Sequence, residues 1–158
     1  KHSGSPHLFK AEGEREYRVD YNPGEGDTHA FGGNSNWRGP VWFPINYLLI
    51  EALERFDYFY GENLKVDFPT GSCRPMRLKD IADELSKRLA SIFLFNNEGY
   101  RPCHGQSEFY ARDPENSKLI LFNEYFHGEN GRGLGASHQT GWTALVINCI
   151  ENTVRKVG

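Results

Sequence analysis

Between Leu121 and Val146 a carboxylate, aromatic rings and two histidines fall on a stretch that glycine keeps turning. The apolar run Leu119 to Phe122 reads as an extended segment that ends at Asn123 and Glu124. Gly128, Gly131, Gly133 and Gly135 follow. Glycine there allows positive φ, or a close approach of the backbone to a ligand. Ser137 is placed to cap a helix that carries Trp142, Leu145, Val146, Cys149 and Ile150 on one face. Binding and catalytic groups are often held in this way, on a loop between two regular elements. On residue type alone Glu124 reads as a solvated loop glutamate, and His127, His138 and Gln139 as capping and bracing groups.

A second stretch, residues 32–44, is also glycine- and asparagine-rich and leads into a helix. It carries Trp37, Arg38 and Trp42. Tryptophan faces beside amides and a guanidinium suit a sugar, apolar beneath and hydrogen-bonding at the rim. The plainer reading makes both tryptophans core aromatics and leaves Arg38 to pin the loop. Asn34 and Asn36 read as loop architecture, since asparagine tolerates left-handed backbone.

These loops need elements to hold them. Ile45, Leu48, Leu49, Ala52, Leu53 and Phe56 recur at helical spacing, with Pro40 or Pro44 suited to the first turn and Gly61 to the end. Leu78, Ile81, Ala82, Leu85, Leu89, Ile92 and Phe93 mark a second amphipathic helix, whose charges form an outward face. A third helix is expected from about His138 to Lys156. Glu16 to Tyr21 alternates and reads as a short strand, turned by Asn22-Pro23-Gly24. The segment from Gly99 to Ser117 is an irregular, aromatic loop, and long loops in compact domains are usually functional or disordered. Three helices with such connections do not make an ordinary bundle, in which connections are short.

The chain has 158 residues, enough for one domain with a core, and a net charge of −3. That charge gives no electrostatic case for nucleic acid or an anionic membrane, and no apolar run approaches a membrane span. Lys1 to Lys10 has no apolar centre, so no signal peptide opens the chain. The absence of an initiator Met reads as a chain cut from something longer. Cys73, Cys103 and Cys149 are too few, and odd in number, for a disulfide framework. They point to a reducing, cytoplasmic compartment. With His104, His127 and His138 they match no paired-ligand spacing, so no metal or other cofactor is expected.

Asn36-Trp37-Arg38-Gly39-Pro40-Val41-Trp42, then Asn46-Tyr47, Glu124-Tyr125, Gly131-Arg132-Gly133 and Thr140-Gly141-Trp142-Thr143 stand in an order that resembles the C-terminal part of glycoside hydrolase family 63. That family includes the processing α-glucosidase of N-glycan maturation. The resemblance covers essentially the whole chain. Phe31-Gly32-Gly33-Asn34-Ser35 makes it most similar to the bacterial and archaeal glucosidase-like branch.

The resemblance implies an all-α fold, a partial (α/α)6 barrel with long glycine- and aromatic-rich loops. Residues 1–158 would form one domain, the C-terminal fragment of the catalytic barrel. It implies an inverting hydrolysis of α-linked sugars, with one carboxylic acid protonating the leaving oxygen and one carboxylate activating water. Glu124 matches the general base, with Glu129 as its rival on the same loop. Trp37, Arg38, Gly39, Trp42 and Trp142 match residues of the sugar pocket. Tyr125, His127, His138 and Gln139 are further candidates for substrate contact. The family's acid is an upstream aspartate whose context none of this chain's aspartates shares. The expected partners are therefore an α-linked saccharide and the missing N-terminal part of the barrel, and the chain alone is expected to be inactive. The alternative is a non-catalytic carbohydrate-binding module that retains the pocket aromatics. A second carboxyl across the pocket, roughly 6.5–9.5 Å from Glu124, would instead mark a complete inverting site.

Overall fold

A computed structural model describes residues 5–10, 16–26 and 39–154. Trp37 and Arg38, with Phe31 to Asn36, lie outside the described residues. Helix α1 runs Phe43–Tyr60 and α2 runs Leu78–Ser91. A hairpin of β3 (Lys65–Asp67) and β4 (Pro75–Arg77) joins them. Two short helices, α4 (Thr140–Thr143) and α5 (Val146–Val154), end the described chain. Helix α2 lies between α1 and α5 and packs on both. No helix among the described residues is long and apolar enough to cross a membrane.

Helix α1 starts without a side-chain cap. Pro44 occupies its first turn, and the Asn46 backbone and side-chain N–H groups both donate to the Trp42 carbonyl, at 3.1 and 2.8 Å. Gly61 ends it at φ +56°. The buried stripe differs from the expected one. Phe43, Ile50 and Asp57 are buried, whereas Ile45, Leu48, Leu49 and Phe56 are 49–65 % exposed. The helix is apolar on more than one face, so periodicity alone did not identify the side that packs on α2. Helix α2 follows its pattern. It buries Leu78, Ile81, Ala82 and Leu89, and Ile92 and Phe93 are buried just beyond its end.

Asp57 ties the two helices together. Its carboxylate accepts from Arg77 at 2.8 Å and from the Lys79 backbone N–H at 3.2 Å. It thereby serves the first turn of α2, where the flanking Arg77 provides no cap. The Arg77 guanidinium holds the Asp57 carboxyl below its ordinary pKa.

The expected strand is β2 (Glu16–Val19), and its antiparallel partner is β1 (His7–Lys10), which the residue pattern did not signal. The expected third helix is jointed. Leu145 and Ile147 bond three residues back, to Trp142 and Ala144, so the chain tightens between α4 and α5. Ser137 makes no cap, and α4 begins after Gln139. The long loop from Gly99 is ordered around a turn at Pro102–His104 and a short helix, α3 (Glu108–Arg112).

The core centres on Phe43, Phe93 and Phe126, which meet edge-on at centroid distances of 5.3–5.8 Å. Edge-to-face contacts suit the ring quadrupole. Cys103 and Cys149 are buried, and burial pushes both thiols up to about 11.

Candidate functional site

Phe126 connects the core to the loop that carries Glu124. It lies in β5 (Tyr125–Phe126), which pairs antiparallel with β6 (Gly133–Leu134), Tyr125 opposite Leu134. The ladder continues through Glu124, whose N–H donates to the Ala136 carbonyl at 2.8 Å. On its other edge Phe126 exchanges two backbone hydrogen bonds with Val41, at 2.7 and 3.0 Å. The two stretches singled out by sequence are thus joined through their backbones, some 85 positions apart (126 − 41 = 85).

Further groups fix this segment. The Trp142 indole N–H donates to the Glu124 carbonyl at 2.9 Å, and the Thr143 hydroxyl to the Asn123 carbonyl at 2.6 Å. The Gln139 N–H donates to the Phe122 carbonyl at 2.7 Å. Gly133 and Gly135 are needed for space. A Cβ at Gly133 would overlap the Asn123 amide. At Gly135, with φ +66°, a Cβ would fall 2.6 Å from Glu124 Oε2 and 2.7 Å from the Tyr125 ring.

The Glu124 carboxylate is half-buried. Its Oε2 accepts the Ala136 N–H at 3.2 Å, and Oε1 has no partner among the described residues. One oxygen is held, and the other makes no hydrogen bond among the described residues. Beside it Trp42 stacks on Tyr125 at 4.6 Å and 16°, and meets Trp142 at 6.2 Å and 59°. Trp42 is only 7 % exposed, so the accessible aromatic surface comes from the half-buried Tyr125 and Trp142. Burial raises the Tyr125 phenol pKa, and the charges of Glu25 and Glu124 add to the rise.

Glu25 was not among the carboxylates singled out in the sequence. The segment from Tyr21 to Glu25 lies on the glycine loop. The Gly128 N–H donates to the Pro23 carbonyl at 2.8 Å, and a Cβ at Gly24 would meet the His127 ring at 3.2 Å. The Asn22 side chain accepts the Gly24 N–H and donates to the Glu25 carbonyl, each at 3.0 Å. That turn leaves Glu25 exposed. The signal was present in Asn22-Pro23-Gly24, which reads as a turn.

The other candidates are placed as follows. Gly39, at φ +98°, sits where a Cβ would run into the Asn22 backbone, and Gly128 is pressed against its carbonyl. Its position serves close packing of three segments. His127 accepts the Glu129 N–H at 3.2 Å and lines a cavity of about 360 Å³ between α2 and the hairpin tip, along with Asn46 and Arg88. His138 is exposed and pairs through its backbone with Phe122. Gln139 contributes its backbone to the strand. Glu129 accepts the Tyr21 hydroxyl at 2.5 Å and is committed to that bond, which lifts the Tyr21 pKa to about 12. Among the described residues no three His, Cys, Asp or Glu side chains converge.

No family model matches the chain, and no solved structure matches it. In sequence it is 49 % identical over 139 residues to an uncharacterized protein of Saccharomyces cerevisiae, a match that covers 87 % of this chain and 13 % of that protein. It is 34 % identical over 125 residues to the mannosyl-oligosaccharide glucosidase of the same yeast, covering 76 % of this chain and 11 % of that protein. The chain therefore spans little more than a tenth of the length of the curated relatives it matches. Over most of its described length it is related in sequence to a glucosidase.

Proposed function

We propose that this chain is the part of an inverting α-glycosidase, of the processing α-glucosidase family, that supplies the general base and one side of the sugar pocket. The observation that carries the reading is the seating of Glu124. Its carboxylate rests on the Gly135 shelf with one oxygen bonded to the Ala136 N–H and the other without a hydrogen bond among the described residues, beside Tyr125 and Trp142. The similarity to a mannosyl-oligosaccharide glucosidase supports an oligosaccharide substrate, whose linkage in this reading is α.

In this reading the second oxygen takes a proton from a water as that water attacks the anomeric carbon from the face opposite the leaving group. The Ala136 N–H keeps the carboxylate in one rotamer, so that its basic lone pair points at the water. The leaving oxygen is protonated by a carboxylic acid from another part of the barrel, and the chain alone is then inactive. The exposed apolar face of α1, with Ile45, Leu48, Leu49 and Phe56, suits neighbouring helices of an (α/α)6 barrel.

Glu124→Gln in a longer protein carrying this sequence tests the assignment. Turnover of an α-glucoside should fall by about 10²–10⁴-fold with sugar binding retained. Proton NMR of the first product in the parent should show the β-anomer. Unchanged turnover in the variant removes Glu124 from the mechanism, and an α-anomer excludes inversion.

A further inference from the structure

The tip of the same hairpin borders a second cavity, of about 460 Å³, whose lining includes Asn96, Glu98, Tyr100, Gln106, Asn130 and Arg132. Nothing in the mechanism above uses it.

Arg132 is held in place there. Its N–H donates to Asn130 Oδ1 at 3.0 Å, and its carbonyl accepts the His127 N–H at 2.8 Å. Its side chain crosses Gly105, where a Cβ would stand 3.3 Å from Cδ and 3.4 Å from Cγ. Arg77, Arg88 and Arg112 each pair with a carboxylate, whereas the Arg132 guanidinium has no ion-pair partner among the described residues. Its backbone and the stem of its side chain are placed, and its guanidinium makes no hydrogen bond or ion pair among the described residues.

The amides around it are similarly disposed. Asn96 Oδ1 accepts the N–H groups of Glu98 and Tyr100, at 3.0 and 2.9 Å, and Asn130 Oδ1 accepts that of Arg132. Both acceptor ends are occupied by turns, which leaves the NH₂ groups as the available ends. Gln106 makes no hydrogen bond among the described residues. The Tyr100 hydroxyl donates to Glu108, so its ring is fixed as part of the wall. The cavity therefore offers a fork of donors, further amide donors, a carboxylate acceptor in Glu98, and apolar patches on Tyr100 and Pro102. Adjacent hydroxyls on a ring with apolar C–H edges match that set, because the guanidinium can bond two neighbouring oxygens at once. A carboxylate in the same lining favours a neutral polyol over an anion.

We propose that this cavity is a second saccharide subsite, which binds a sugar unit remote from the bond that is cleaved. The proposal rests on the carbohydrate reading of the Glu124 site. His127, whose N–H bonds the Arg132 carbonyl, is three strand positions from Glu124, about 10 Å at roughly 3.3 Å per residue, and alternation turns it to the other face, so the subsite is a binding point separate from the Glu124 pocket.

The test is a titration of the isotopically labelled full chain with maltotriose, and separately with inorganic phosphate, followed by NMR. Maltotriose should shift the side-chain amides of Gln106 and Asn130 and the backbone signal of Arg132, saturably. Arg132→Ala should weaken that binding about ten-fold, and Arg132→Lys should restore only part of it, because the fork is lost. Gln106→Ala, at an exposed side chain outside the internal hydrogen bonding, gives a variant whose folding is not at issue; it should weaken the same shifts. Shifts at Tyr125 and Trp142 alone would overturn the subsite and leave the Glu124 reading intact. Shifts at the tip alone would support the subsite and count against the Glu124 pocket. Shifts at the tip with phosphate but not with maltotriose would overturn the saccharide assignment, as would no shift with either.

Discussion

The base and the tip of the β5–β6 hairpin are both built on glycine, and they are held in different ways. At the base, Phe122 to Phe126 is gripped by Val41 on one edge, by Ala136 on the other, and by Gln139, Trp142 and Thr143 from α4 and its approach. Most of those bonds are backbone to backbone, and Asn123, Phe126 and Thr143 are buried. At the tip, the exposed loop is tethered by Tyr21 to Glu129 and by Pro23 to Gly128. The base holds one carboxylate oxygen in a fixed direction, as proton transfer needs. The tip presents donors on an exposed loop. A glycine-rich motif therefore does not have a single meaning even within one hairpin. Gly133 and Gly135 make room for side chains, while Gly131, at φ +73°, turns the chain against Pro102.

The contrast is broken most directly by Phe126→Ala. The ring is fully buried and meets both Phe43 and Phe93. Its loss should cost about 3–5 kcal/mol in chemical denaturation. If the cost is below about 1 kcal/mol, the base is not anchored through this core. Gly135→Ala should come next. Its methyl group meets Glu124 Oε2 and the Tyr125 ring, and the left-handed backbone adds strain, together about 1–3 kcal/mol. In a longer active parent its effect on turnover should exceed its effect on stability, because it displaces the carboxylate. Equal effects on both would mean that Gly135 serves folding only.

What could be read in the sequence follows from how local each determinant is. Helix α2 was legible because it is apolar on one side only, and its pattern matched its burial. The pairing of Val41 with Phe126 was not derivable from periodicity, although the two motifs it joins stood out by composition. Helix α1 misled because Phe43 and Ile50, which pack inward, are outnumbered by Ile45, Leu48, Leu49 and Phe56, which do not. Asp57 reads as one more helical charge until Arg77 and the start of α2 come against it. Glu25 and Tyr21 gain meaning only from the contact of their turn with a loop about a hundred positions away. Such non-local contacts leave no period in the chain.

The smallest effect should come from the tether at the tip, and its pH dependence tests it. The Tyr21 phenol donates to Glu129, and that bond, with some burial and the Glu129 charge, raises its pKa from 10 to about 12. The folded state therefore holds this proton more tightly than the unfolded chain. The sign follows from linkage: the contribution is fully present below pH 10 and is lost as pH rises from 10 through about 12. Tyr21→Phe should remove that dependence and lower stability by no more than about 1 kcal/mol, since the bond is exposed to water. Stability measured at pH 7 and at pH 11 in both proteins separates the two effects. The difference between parent and variant should shrink at the higher pH. No difference at either pH would mean that Tyr21 acts through its ring, which phenylalanine keeps, and not through the bond to Glu129. The tip would then be anchored by contact, as the base is, and the distinction between the two ends of the hairpin would narrow to their exposure.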